Sequence, residues 1–215
     1  MSKTFYFTIW LIIANILFIN QIFANADYKI SNKTSATKNH TIQISFGSFR
    51  NSYFYPMTNL GYQYEIINKH RFRTSANLRS YGTLFFFTKS AYDISQLTEL
   101  NILHKKSNSL GLFLGLGIDC RLRLVKDERS TARSGVEPII SIVPEFQNEH
   151  ILFRIPFQTA FYSNGLALRI IPEFGYNINK VWQLYISYGM SYYTIYQTKA
   201  NEWRRDSFLG VRMRF

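Results

Sequence analysis

Residues 110–124 read Leu110-Gly111-Leu112-Phe113-Leu114-Gly115-Leu116-Gly117-Ile118-Asp119-Cys120-Arg121-Leu122-Arg123-Leu124. Successive side chains on a strand point to opposite faces, so this stretch carries an unbroken apolar row on one face and glycine, Phe113 and charge on the other. Fully extended it would be about 50 Å long at ~3.4 Å per residue. A soluble sheet hides its apolar face and shows a polar one, whereas a transmembrane barrel turns the apolar face to lipid and lines its lumen with polar groups. A greasy row of this length suits lipid.

The alternation recurs along the chain in about ten segments. Outward candidates are Ile42, Ile44 and Phe46; Leu60, Tyr62, Tyr64 and Ile66; Phe72, Leu78, Leu84 and Phe86; Thr98, Leu100 and Ile102; then the Leu110 row. They continue with Ile140, Ile142 and Phe146; Ile151, Phe153, Ile155 and Phe157; Leu166, Leu168, Ile170, Phe174 and Tyr176; Trp182, Leu184, Ile186, Tyr188, Met190 and Tyr192; and Leu209, Val211, Met213 and Phe215. The opposite faces carry charges of both signs, which a soluble core would not tolerate in such number. No window supports a long amphipathic helix at period 3.6.

The chain stops on Phe208-Leu209-Gly210-Val211-Arg212-Met213-Arg214-Phe215. This alternating segment with an aromatic end resembles the closing strand of bacterial outer-membrane β-barrels. The resemblance spans residues 40–215 and implies an outer-membrane location. It also implies that Leu209, Val211, Met213 and Phe215 form the signal read by the barrel-assembly machinery. Lipid cannot satisfy free backbone groups, so the last strand must close on the first; Ser207 to Phe215 is expected to pair with His40 to Phe49.

The expected fold is therefore an all-β, antiparallel, up-and-down transmembrane barrel. Ten strands are expected, or eight if Tyr92 to Leu103, the poorest alternation, is a loop. Short polar turns at Asn68 to His70, His104 to Asn108, Gln147 to His150 and Asn177 to Lys180 belong on the periplasmic side. External loops belong at Arg50 to Asn59, Thr88 to Gln96, Lys126 to Gly135, Tyr162 to Gly165 and Gln197 to Asp206.

Residues 1–26 read as an address. A basic start at Lys3, an uncharged apolar run from Phe5 to Ile19 and the small-x-small pair Ala24 and Ala26 match a cleaved secretory signal. The competing reading, a single transmembrane anchor, is weakened by Asn15, Asn20 and Gln21. Asp27 to Asn39 is polar and reads as a periplasmic linker before a barrel at residues 40–215.

A 215-residue chain that is 47% hydrophobic and 17% aromatic is too apolar to be disordered. Lys plus Arg number 25 against 13 Asp plus Glu, a net +12. For an exported chain that balance points to lipopolysaccharide, anionic lipid head groups or an internal ion-pair network, and not to nucleic acid. The lone Cys120 excludes an intramolecular disulfide and a cysteine zinc site.

A barrel of eight to ten strands is filled by its own side chains, so inward charges should pair. A carboxylate–guanidinium layer is expected near the periplasmic end from Glu65, Glu145, Arg154, Glu173, Arg212 and Arg214. A second cluster of Asp119, Arg121, Arg123, Glu137 and Arg169 is expected toward the outside. Both read as structural plugs; the competing use is a narrow anion-preferring path or anionic ligand site. Val143-Pro144-Glu145-Phe146 and Ile171-Pro172-Glu173-Phe174 repeat 28 residues apart, which suggests hairpin duplication with a bulge at the rim.

Trp182, Trp203 and the series Tyr185 to Tyr196 suit interfacial aromatic girdles. His40, His70, His104 and His150 fall at strand ends and read as solvated residues, so no metal site is expected. Ser187 and Ser191 face the lumen without a nearby His, so no catalytic set emerges. Asn32-Lys33-Thr34 and Asn39-His40-Thr41 fit a glycosylation pattern that matters only in a eukaryotic secretory route. No cofactor is expected, and the barrel is expected to be monomeric. The functional expectation is a lipid-embedded wall presenting short external loops, with a narrow channel and a lipid-modifying enzyme as competing classes.

Overall fold

The computed structural model describes residues 37–50, 54–67, 71–81, 91–103, 109–123, 135–162, 165–195 and 200–215. The stretch read as a leader, with its expected cleavage site at Ala24 and Ala26, and most of the stretch read as a linker lie outside the described residues, as do Leu84, Phe86, His70 and His104.

Among the described residues there are twelve strands: β1 (Thr37–Arg50), β2 (Phe54–Ile67), β3 (Arg71–Tyr81), β4 (Ala91–Asn101), β5 (Leu110–Arg123), β6 (Gly135–Gln147), β7 (Ile151–Arg154), β8 (Phe157–Tyr162), β9 (Gly165–Ile170), β10 (Glu173–Asn177), β11 (Trp182–Ile195) and β12 (Ala200–Arg214). All neighbours are antiparallel. β12 pairs with β1, and the sheet returns to itself as a closed barrel. β7 with β8, and β9 with β10, each make one wall strand interrupted at a proline, so the wall has ten strands. Tyr92 to Leu103 belongs to it through β4, which settles ten over eight.

The interruptions have a simple cause. Pro144, Pro156 and Pro172 have no N–H to give, yet each carbonyl accepts from the residue opposite: Ile155 N at 3.1 Å, Ile171 N at 2.9 Å and Tyr188 N at 3.0 Å. Register is unchanged across the breaks. Glu145 faces Arg154 and Ile142 faces Phe157, which counts the same number of residues on each strand. Glu173 faces Arg154 and Ile170 faces Phe157 likewise. The bulge expected from the two Pro-Glu repeats is therefore absent: the prolines remove ladder bonds without inserting a residue.

The seam joins Thr41 to Arg214 through Arg50 to Arg205 in continuous register. His40 and Phe215 extend it with reciprocal backbone bonds of 3.0 and 2.9 Å. The His40 ring stacks on Phe215 at 5.6 Å and its Nδ1 shares a hydrogen bond with the Tyr62 hydroxyl at 2.7 Å. We call this end, where β1 begins and β12 ends, the terminal rim. Its described turns are made by asparagine: the Asn148 side-chain Oδ1 accepts from His150 N and Ile151 N, and the Asn179 Oδ1 accepts from Val181 N and Trp182 N.

Several expected boundaries move. β1 starts three residues inside the stretch read as linker. Most of Arg50 to Asn59 and of Gln197 to Asp206, read as loop, is strand, and β4 takes up Ala91 to Gln96. A hairpin ladder continues past the point where its side chains become polar, because backbone pairing needs no apolar face.

Leu116 is 69% exposed, Phe46 63% and Leu209 64%, while Glu145, Glu173 and Arg212 are buried. This inversion is the signature of a barrel whose solvent is lipid. The outer face is not uniform. Ile66 and Cys120 share its parity but are covered by their neighbours, and Thr74 and Thr98 meet there through their hydroxyls at 3.2 Å. Tyr185, expected in a girdle, is only 4% exposed and faces the lumen. Its odd position on β11 shares the parity of Gln183 and Ser187, opposite to Leu184 and Ile186. Trp182 and Trp203 do face outward, Trp203 against Tyr192 at 4.9 Å.

Candidate functional site

Many of the lumen's charged groups gather in a layer near the terminal rim. It is built from two similar straps. In the first, Arg73 on β3 bonds Glu99, directly opposite on β4, and reaches over the Phe113 ring of β5 to Glu145 on β6. Its guanidinium carbon lies 3.9 Å from the Phe113 centroid. Arg71, one inward position nearer the rim, bonds Glu65 of β2 at 2.8 Å and the Gln147 side chain at 3.3 Å and pairs with the Glu145 carboxylate at 3.2 Å.

The second strap starts at Arg212 on β12, passes over the Tyr185 ring of β11 at 3.9 Å and grips Glu173 on β10 with two bonds of 2.6 Å. Arg154 on β7 holds the same carboxylate from the other side at 2.9 and 3.0 Å. Amides complete the strap: Arg212 donates to Gln43 at 3.0 Å and Gln183 at 3.1 Å, and Gln183 donates to Asn177 at 2.7 Å. A guanidinium suits these positions because it stacks by its face and donates by its edge.

Small residues make room for the straps. A Cβ on Gly115 would lie 2.8 Å from the Glu99 side chain, and one on Gly175 would lie 2.9 Å from that of Gln183. On β5, Gly115 and Gly111, the latter beside the Phe113 ring, thus provide clearance for the layer.

Cavities flank the layer. One of about 110 Å³ lies on the far side, lined in part by Asp93, Asp119, Arg169, Asp206 and Phe208. One of about 560 Å³ lies toward the terminal rim, lined by Gln63, Glu65, Arg71, Asn148 and Arg214 among others. Arg154 and Arg212 border both, so the second strap is the partition between them.

The structure brings Glu65, Glu145, Arg154, Glu173 and Arg212 into this layer. Arg214 lies at the same end but joins no ion pair within 4.0 Å among the described residues. Of the second cluster, Arg169 bonds Asp119 at 2.8 Å, and Glu137 is buried opposite Asp119 in the ladder. The side chains of Arg121 and Arg123 lie outside the described set. Sequence reasoning missed Arg71, Arg73, Glu99, Phe113 and Tyr185. The signal was available, since residues flanking an outward Phe72, or lying between outward Thr98 and Leu100, must face inward. A lone inward phenylalanine between glycines likewise marks a stacking surface.

Among the described residues no group of three or more His, Cys, Asp and Glu is placed to hold a metal ion. His150 is exposed in its turn, and His40 is spent on the seam.

A closed antiparallel wall with apolar residues outside and paired charges inside defines the class: a small membrane-spanning β-barrel. No family model and no curated protein matches the chain. Solved structures do, and they are bacterial outer-membrane barrel proteins. Neisserial surface protein A matches at 12% identity and a TM-score of 0.39, covering 84% of this chain and 98% of its own. The outer membrane protease OmpT of Escherichia coli matches at 8% and 0.44, covering 86% and 99%. The attachment invasion locus protein Ail of Yersinia pestis matches at 11% and 0.33, covering 85% and 100%. A porin and a hydrocarbon channel are among further matches. At these scores the likeness is one of fold class and says nothing of what this chain binds.

Proposed function

We propose that the chain is an integral protein of the bacterial outer membrane whose role is structural or surface-interactive, with a lumen sealed by its own ion pairs. The observation that carries this reading is the double strap, which lies across the lumen between the two cavities and leaves each of its carboxylates bonded to at least one guanidinium. Outer-membrane lipids and lipopolysaccharide surround the apolar wall, and the chain's net positive charge suits their anionic head groups. The terminal strand is the segment handed to the barrel-assembly machinery, and the barrel works as a monomer.

The test is conductance in planar lipid bilayers. The refolded full chain should show no steady stepwise current. A steady current with a reversal potential favouring anions overturns the sealed lumen and establishes a second reading, a narrow channel for small anionic solutes. That reading draws on the presence of cavities on both sides of one partition.

A further inference from the structure

We propose that the cavity at the terminal rim is a binding site for an oxyanion, a carboxylate or a phosphate group, with Arg214 as its principal ligand. Five guanidiniums line this cavity: Arg71, Arg73, Arg154, Arg212 and Arg214. Four have carboxylate partners. Arg71 holds Glu65 and Glu145, Arg73 holds Glu99 and Glu145, and Arg154 and Arg212 share Glu173. Those four acids are thereby engaged, and Arg214 remains with no carboxylate within 4.0 Å among the described residues. Glu149, the remaining acid on the wall, sits exposed in the turn at the mouth and makes no ion pair with it.

An unmatched cation on the wall of a concave, partly desolvated space attracts a counter-charge, because the low-dielectric wall focuses its field. A guanidinium presents paired donors that fit two oxygens of one anion. The surroundings supply neutral donors as well. Thr41 faces Arg214 across the seam, Gln63 faces Thr41 on β2, and Asn39 lies one inward position nearer the rim. At about 560 Å³ the cavity holds a small organic acid with water, and it lies wholly on one side of the layer. The site therefore stands whether or not the layer seals the lumen. The anion can come from solution or from a phospholipid head group bending over the rim, and both offer the same chemistry.

The experiment uses the refolded full chain in uncharged detergent at low ionic strength, with inorganic phosphate and then acetate titrated while the arginine Nε–H and side-chain amide resonances are followed by NMR. Saturable shifts centred on Arg214, with dissociation constants in the millimolar range, are expected. Arg214→Gln should weaken binding by about tenfold or more, and Arg205→Gln, at the opposite rim, should leave it unchanged. Arg214→Lys keeps the charge without the fork and should bind at intermediate strength, which keeps the test open if the glutamine variant fails to close its barrel. In nanodiscs, phosphate binding that persists in phosphatidylcholine but is lost in phosphatidylglycerol at equal ionic strength assigns the occupant to a lipid head group; persistence in both assigns it to solution. Shifts that do not saturate, or that are equal in Arg214→Gln and the parent, overturn the proposal.

Discussion

Replacing Glu173 by glutamine is the sharpest test of the layer. The change keeps side-chain size and removes one charge at a point where the buried Arg212 and the half-buried Arg154 converge: Arg212 through two bonds of 2.6 Å, and Arg154 through an Nη2 bond of 3.0 Å and an Nε–carboxylate distance of 2.9 Å. Breaking a buried ion pair by removing one partner costs ~3–5 kcal/mol, because the other charge is left uncompensated. Two effects pull toward the lower end. Cavities lie on either side of the strap, and Arg212 keeps its bonds to Gln43 and Gln183, each contributing about 1 kcal/mol. A loss near 3 kcal/mol, with a urea slope of ~2 kcal/mol/M, moves the unfolding midpoint down by about 1.5 M. The assay is urea unfolding in lipid vesicles, read by tryptophan fluorescence and by gel mobility without heating. Adding Arg212→Met to Glu173→Gln should recover part of the loss, since the double variant no longer buries the Arg212 cation. A shift below ~0.3 M, or a double variant that equals the sum of its singles, would refute the claim that the strap acts as a coupled unit.

Other outcomes follow from the inside-out pattern. Leu116→Arg puts a charge on a side chain that is 69% exposed to the membrane, and should cost ~2–4 kcal/mol near the bilayer midplane and lower insertion into vesicles; Leu116→Phe should be nearly neutral, and equal behaviour of the two would contradict a lipid-facing β5. Deleting Phe215 removes both backbone bonds to His40 and the ring stacked on it, so the fraction of protein reaching the compact, fast-migrating form should fall, while an undiminished yield would show that the seam closes without its last residue.

Much of this was open to inspection in the chain itself. Parity places Glu65, Asp119, Glu145, Glu173 and Arg212 on the faces opposite the leucines and isoleucines, and the structure buries them. The pairing of the first strand with the last follows from the need to leave no free edge in lipid. Partner choice was not open in the same way. Arg73 passes two strands and a ring to reach Glu145, and that route exists because β5 carries glycine at 111 and 115 where side chains would block it. Strand ends were misjudged for a related reason: polar composition marks where the membrane ends, and the ladder runs on beyond it.

The alternation of side chains is a property of each strand's own backbone, so the amino-acid order alone decides fold class, the lipid face and the lumen face. Which charges meet depends on curvature, on stagger between strands and on distances across the axis, quantities that exist only once ten wall strands have closed. For that reason the straps over Phe113 and Tyr185, the partition between the cavities and the unmatched guanidinium of Arg214 belong to the folded barrel and to no segment of it.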